Sequence, residues 1–248
     1  MSGFRRIEMN TDKERFEALL CASADEIPGL AEGETWSFLA GLDPDIAAMK
    51  GYDQKHPYHC YDLLMHTLHT AAGLDKSRLE GDAFRILRIA AFLHDIGKPA
   101  SVQEKTTAYG TVLRSFHGHA EYSDTSACRI LARLGYGDED IRKIRIRILA
   151  HDLFLAFHFA PAGETSRDRL TISEENVMRV IDRFRRNYPE LRASLDDFAD
   201  TMLLSAADGL AHSAFVFNPD GTLRDSREYM LARAEAVREV ILRSKEDL

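Results

Sequence analysis

The chain is 248 residues long, 45% apolar and 29% charged, with a formal net charge of −8. That length can bury a full core and that mixture is ordinary for a globular protein, while no apolar run approaches the roughly 20 residues that span a bilayer. The acidic balance excludes the global positive field that gathers long polyanions. Cys21, Cys60 and Cys128 lie far apart without a C-x-x-C pair, which excludes a disulfide framework or a thiolate zinc knuckle. With an N-terminus lacking a signal-peptide core, the chain reads as a cytoplasmic soluble protein.

Helical patterns run almost throughout. "DKERFEALLCASADE" has helical periodicity after Thr11 or Asp12 as N-cap. "YDLLMHTLHTAAGL" sets Leu63, His66, Thr70 and Leu74 along one stripe, and "DAFRILRIAAFLHDIG" does the same with Ile86, Ala90, Leu93 and His94 before Gly97 and Pro99 stop the helix. "TTAYGTVLRSF" is the one strand-like region, a small hairpin about Gly110. Helices are expected again in "AEYSDTSACRILARLG", "DEDIRKIRIRILAHDLFLAF", "SEENVMRVIDRFRRNY" and "LRASLDDFADTMLLSAADGLAH". A last helix, about 226–244, follows the turn "NPDG". The expectation is an all-α helical bundle with a small β-hairpin insertion, divided into an N-terminal helical extension over 1–50 and a main unit over 51–248.

Ten histidines need explanation. His56 and His59 lie in the polar stretch "DQKHPYHCYD", and His158 and His212 sit near helix ends, so these read as surface or capping residues. His66, His94, His119 and His151 instead lie in or at the ends of apolar helical segments, and Asp208 sits inside "LLSAADGLA". A lone histidine on an apolar face is ordinarily a satisfied core residue. A buried carboxylate without a partner costs several kcal/mol as a rough guide, so Asp208 needs cations. A shared divalent metal accounts for the whole set, because imidazole and carboxylate together suit zinc, iron, manganese and similar ions.

"IAAFLHDIGKPAS" places two ligands side by side where its helix ends. Adjacent helical side chains point about 100° apart, so His94 and Asp95 reach one ion only at a loosened end, which Gly97 provides. Lys98, four residues after His94, is placed either to meet an anionic substrate or to offset the helix dipole.

The ordered series His66, His94–Asp95, His119, His151, Asp208 resembles the HD superfamily of metal-dependent phosphohydrolases. "YHCYDLLMHTLHT", "RIAAFLHDIGKPAS", "FHGHAEYSDTSACRILARLGY" and "LLSAADGLAHS" are most similar to the HD domain of bacterial CCA-adding tRNA nucleotidyltransferases, over roughly residues 38 to 243. The glycine-rich strand-turn and D-x-D pair of a nucleotidyltransferase head do not precede Tyr58; Asp43 and Asp45 flank a helix-starting Pro44. The expectation is a free-standing HD domain over 51–248.

The resemblance implies that His66, His94, Asp95 and Asp208 hold a primary metal. It implies that His119 and His151 add a second, bridged by Asp95; His117 competes with His119 for that place. One or two divalent ions (Mn, Fe, Ni, Mg, Co or Zn) are implied, with Asp95 and Lys98 as the catalytic pair and a metal-activated water attacking phosphorus. Asp62, a turn before His66, either orients that imidazole or faces solvent. The implied substrates are nucleotides, 2′,3′-cyclic phosphates or terminal phosphates, with RNA 3′ ends among the partners. The basic run Arg142, Lys143, Arg145 and Arg147 either steers phosphates to His151 or is a solvated face balanced by Asp138, Glu139 and Asp140. A di-iron oxygenase, and an RNA-binding or regulatory module without catalysis, remain compatible with the same ligand set. The oligomeric state is not encoded in any of these signals.

Overall fold

The computed structural model describes residues 11–79, 81–108, 110–159, 170–217 and 223–246. Helix α1 (Asp12–Leu20) starts on Thr11, whose hydroxyl accepts from the Glu14 N–H while Glu14 reaches back to the Thr11 N–H. Short helices α2 (Ile27–Leu30), α3 (Gly33–Leu42) and α4 (Pro44–Met49) follow, the last capped by Asp43 with Pro44 in its first turn. Then come α5 (Leu63–Ala72), α6 (Ala83–Leu93), α7 (Lys98–Ser101), α8 (His119–Arg133), α9 (Asp138–Ala150), α10 (Glu174–Asn187), α11 (Leu195–Leu210) and α12 (Arg227–Glu246).

The all-α expectation holds, and the hairpin lies where the sequence put it, with β1 (Gln103–Thr106) antiparallel to β2 (Val112–Ser115). Two further strand pairs were not foreseen: β3 (Phe157–His158) with β4 (Leu170–Thr171), parallel, and β5 (Phe215–Phe217) with β6 (Leu223–Ser226), antiparallel. Strands of two to four residues are too short to print a two-residue period. The "NPDG" turn lies outside the described residues, as do the first ten of the N-terminus.

Two apolar clusters hold the helices together. One gathers Phe16, Leu39, Ile46, Leu64, Phe92 and Ile130; the other gathers Phe157, Ile181, Phe184, Phe198 and Ile241. The N-terminal helices belong to the first, and Phe16 packs edge-on against Phe92 of α6 at 5.8 Å between ring centres. Helix α9 contributes Ile144 and Ile148 to the first cluster and Ile146 and Ala150 to the second.

The basic run on α9 does not form a phosphate funnel. Arg142 pairs with Glu139, Arg145 with Asp124 of α8, and buried Arg147 donates to Asp197 and Asp200 of α11 at 2.9 and 2.8 Å. Of the local balance with Asp138, Glu139 and Asp140 only Glu139 takes part, holding Arg142 and Lys143, while Asp140 pairs with Arg85 and the partners of Arg145 and Arg147 come from other helices. Asp62 does not orient the His66 ring either. It caps α5, accepting from the N–H groups of Met65 and Gly51, each at 2.8 Å.

Candidate active site

Helices α6 and α9 end in the same way. His94 and His151 are their C-caps, and each donates Nδ1–H to the carbonyl three residues back: Ala91 at 2.8 Å and Ile148 at 2.6 Å. These carbonyls belong to the last turn, where intrahelical partners run out. A carbonyl can only accept, so Nδ1 carries a proton and Nε2, aimed beyond the helix end, is the ring atom left to take up a further proton or a metal ion. His119, the first residue of α8, repeats the pattern on the Phe116 carbonyl at 2.8 Å. The helix expected to run through "AHDLFLAF" stops at Ala150, where His151 becomes the cap.

The turn after α6 is pressed against the start of α8. The Gly97 N–H donates to Ser123 Oγ at 2.9 Å, and a Cβ on Gly97 would lie 2.4 Å from the Ser123 nitrogen and 2.6 Å from the His119 carbonyl oxygen. Gly97 is therefore required for this close approach. Its φ is an ordinary −80°, so left-handed freedom is not the reason. At the start of α8, Gly118 at φ +79° does use that freedom.

These constraints bring the nitrogens together around one carboxylate. Asp95 Oδ2 lies 3.3 Å from His66 Nε2 and 3.2 Å from His94 Nε2; Asp95 Oδ1 lies 3.1 Å from His119 Nε2 and 3.7 Å from His151 Nε2. Asp208, in the last turn of α11, reaches His66 Nε2 at 2.9 Å and His94 Nε2 at 3.6 Å. The six residues thus fall into two groups, His66–His94–Asp95 with Asp208 and Asp95–His119–His151, and each Asp95 oxygen faces one of them.

The donor chemistry fits a cation. His66 Nε2, His94 Nε2, Asp95 Oδ1 and Asp208 Oδ1 are buried and make no directed hydrogen bond. Buried acceptors this close need positive charge. The C-terminal ends of α6, α9 and α11 converge here, and their carbonyl dipoles favour the same charge. The titration behaviour agrees. Although burial opposes it, Asp95 and Asp208 push His94 up to about 10, and His66 and His119 are raised by the same kind of contact. Against burial, Asp95 is held well below the carboxylate range, mainly by His94 and Lys98, and Asp208 by His212 and His66.

A family model for the HD domain matches residues 58–187, over half of the chain. The chain belongs to the HD domain family.

HD domains are a superfamily of metal-dependent phosphohydrolases that bind divalent ions, and this chain is an enzyme of that class. It is also similar to the A-adding tRNA nucleotidyltransferase of Deinococcus radiodurans, 29% identical over 139 residues. That match spans 56% of this chain and 30% of the relative, so the chain covers under a third of that protein's length. The matched HD segment ends before α11, yet the fold returns Asp208 to the site.

The HD site forms the floor of a cavity of about 850 Å³, lined among others by Asp95, Lys98, His119, His151 and Asp208. Lys98 opens α7, so it is not in the last turn of α6, where the dipole reading had put it. Its buried ammonium donates to Asp95 Oδ2 at 2.6 Å and Gln54 Oε1 at 2.9 Å. His117 is exposed at the cavity wall, and His119 takes the inner place.

Three lining residues escaped the sequence reading. His59 and His212 pair through an isolated β-bridge and stand edge-on at 4.9 Å, packed against His66; neither is a surface residue. Burial holds His59 well below its usual range and His212 at about 4. Asp152 lies 3.3 Å from both His119 Nε2 and His151 Nε2. A signal for Asp152 was present: "HD" ends an apolar helix twice, at His94–Asp95 and at His151–Asp152. No comparable signal marks His59 or His212, which meet only because the chain returns after 150 residues. Among the described residues no helix is long and apolar enough to cross a membrane.

Proposed function

We propose that this HD domain hydrolyses small nucleotide phosphoesters: nucleoside phosphates, 2′,3′-cyclic phosphates or terminal phosphates. In this reading His66, His94, Asp95 and Asp208 hold one divalent ion, and Asp95, His119 and His151 hold a second. A divalent cation held there supplies Lewis acidity toward a phosphoryl oxygen and lowers the pKa of a coordinated water. The supporting observation is the division of Asp95's two oxygens between two imidazole groups on the floor of an open cavity.

The chain's own residues do the rest. The three carbonyl-anchored imidazoles keep their Nε2 atoms fixed in direction, so little movement of the rings is needed when a metal ion displaces the protons there. Lys98 holds Asp95 ionised and offers an ammonium to an anionic group on the cavity floor. Substrates are small in this reading because the α9 arginines that lead to His151 are neutralised within the fold and the net charge of −8 gives no overall field to gather a long polyanion. The similarity to a tRNA nucleotidyltransferase supports RNA 3′ ends as one source of such terminal phosphates. The free thiols of Cys21, Cys60 and Cys128 fit a reducing cytoplasm. In this reading the HD unit spans 51–248 and residues 1–50 are an N-terminal extension, whose described helices α1–α4 share the first apolar cluster with it.

The test is metal analysis of tag-free protein, followed by a phosphatase and phosphodiesterase panel at increasing salt. Metal-dependent release of phosphate or opening of a cyclic phosphate, lost in Asp95→Asn and only weakly salt-dependent, is expected. Tight tRNA binding with a steep salt slope and no turnover of small esters favours the binding-module reading instead. Oxygen consumption by an iron-loaded, coloured protein favours the oxygenase.

A further inference from the structure

The cavity extends well past the His–Asp cluster. Helix α12 turns one stripe into it, with Ser226 just before the helix and Tyr229, Met230 and Arg233 following at the spacing of a single helical face. Leu155 and Leu223 line the same cavity while 46% and 55% exposed, and Phe159, 41% exposed, stands edge-on to Tyr229 at 5.6 Å. Apolar and aromatic surface left open to water inside a catalytic cavity is surface kept for a ligand.

The charge on this wall is as telling. Two arginines line the cavity. Arg114 is occupied, donating to Glu104 at 2.9 Å and to the Asp53 carbonyl while covering the Tyr52 ring. Arg233 donates only to the Leu155 carbonyl, at 3.3 Å, and has no carboxylate partner among the described residues. Arg233 also lines a small void together with His151, Phe154 and Met230, which puts it on the same side of the cavity as His151.

We propose that this wall is a nucleobase subsite, an inference that rests on the phosphohydrolase reading and names what its substrates carry. With the phosphate over the cluster, the base lies against Tyr229 and Leu155, and its polar edge meets Arg233. An alkyl chain would leave the guanidinium without an acceptor, and a bare sugar would waste the aromatic wall. A flat ring with polar edges satisfies both, which is how aromatic and arginine side chains together hold unstacked bases.

Binding tests this without turnover. Adenosine 5′-phosphonate and ribose 5-phosphonate, which cannot be hydrolysed, are titrated calorimetrically into the protein carrying its purified metal. The adenosine compound should bind at least about tenfold more tightly. Arg233→Ala and Tyr229→Ala should erase that ratio and leave the ribose compound's Kd unchanged, while Tyr229→Phe keeps the ratio. Equal affinity of the two compounds in the wild-type protein overturns the subsite whatever the variants do. So does a ratio that survives both alanine substitutions in folded protein. Hydrolysis is scored separately: an inactive protein that still discriminates the base keeps the subsite and loses the phosphohydrolase reading, and an active one that does not discriminate does the reverse.

Discussion

The Nε2 atoms of His119 and His151 face each other across 3.0 Å, although each ring has committed its Nδ1–H to a backbone carbonyl. When both rings are neutral they point lone pair at lone pair, and the neighbouring carboxylates of Asp95 and Asp152 only accept when ionised. A metal ion held by both removes the repulsion, as a proton shared between the two rings does in its absence. Saturation with manganese is therefore expected to load two ions per chain, and His151→Ala should lose one while keeping the other. Metal analysis after gel filtration decides it, and a single ion in the saturated wild type ends the two-metal reading.

Proton release should accompany metal binding. His94 is raised to about 10, so the metal-free folded site holds a proton there until the pH rises through that value. Asp95 and Asp208 are held low and stay ionised, so protons and metal compete for the same negative charge. Affinity must then fall as pH falls from 8 to 6, with protons liberated at neutral pH. Calorimetric titrations with manganese in buffers of different ionisation enthalpy measure the number released; a value of zero contradicts the assignment.

Gly97→Ala should be costly despite its small size. The new methyl would meet backbone atoms of Ser123 and His119 at 2.4 and 2.6 Å, and neither is the flexible end of a side chain. Overpacking of this kind costs about 1–3 kcal/mol, and here it also pushes His119 away from Asp95. Denaturant unfolding should show the loss of stability and metal titration a weaker second site. Wild-type values in both would mean that the start of α8 can move freely.

Arg147→Ala should destabilise the fold by about 3–5 kcal/mol, because it leaves Asp197 and Asp200 without their buried cation. In the wild type, burial would raise Asp197, but Arg147 and Ser194 hold it below its usual value. Its contribution is thus complete above the unfolded carboxylate pKa of about 3.9 and is lost as pH falls through the lower folded value. Burial raises Asp200, which acts in the opposite sense and weakens the fold as pH rises past about 3.9. Guanidinium unfolding at neutral and acid pH should show the deficit of the variant shrinking in acid. A deficit that does not change with pH would rule out this account of the pair.

The helices and most of the candidate ligands were legible in the sequence because both are local anomalies. Apolar residues repeat with a helical period, and a histidine or aspartate inside such a stripe stands out against it, as His66 and Asp208 do. The double ligand His94–Asp95 was legible for the same reason, since it sits where a helix must end. What the sequence could not carry was pairing between distant segments. Whether Arg147 faces solvent or Asp197, whether Asp62 caps a helix or holds a ring, and whether His59 and His212 lie outside or against His66 all depend on which helix packs beside which. The strand pairs at Phe157 and Phe215 stayed invisible because so few residues leave no period. Even Gly97, read as a stop signal, owes its place to α8, which arrives from 22 residues further along the chain. Local periodicity determined the elements and the kinds of ligand; only packing decided which oxygen of Asp95 faces which imidazole, because that distance is set by helices that no local stretch contains.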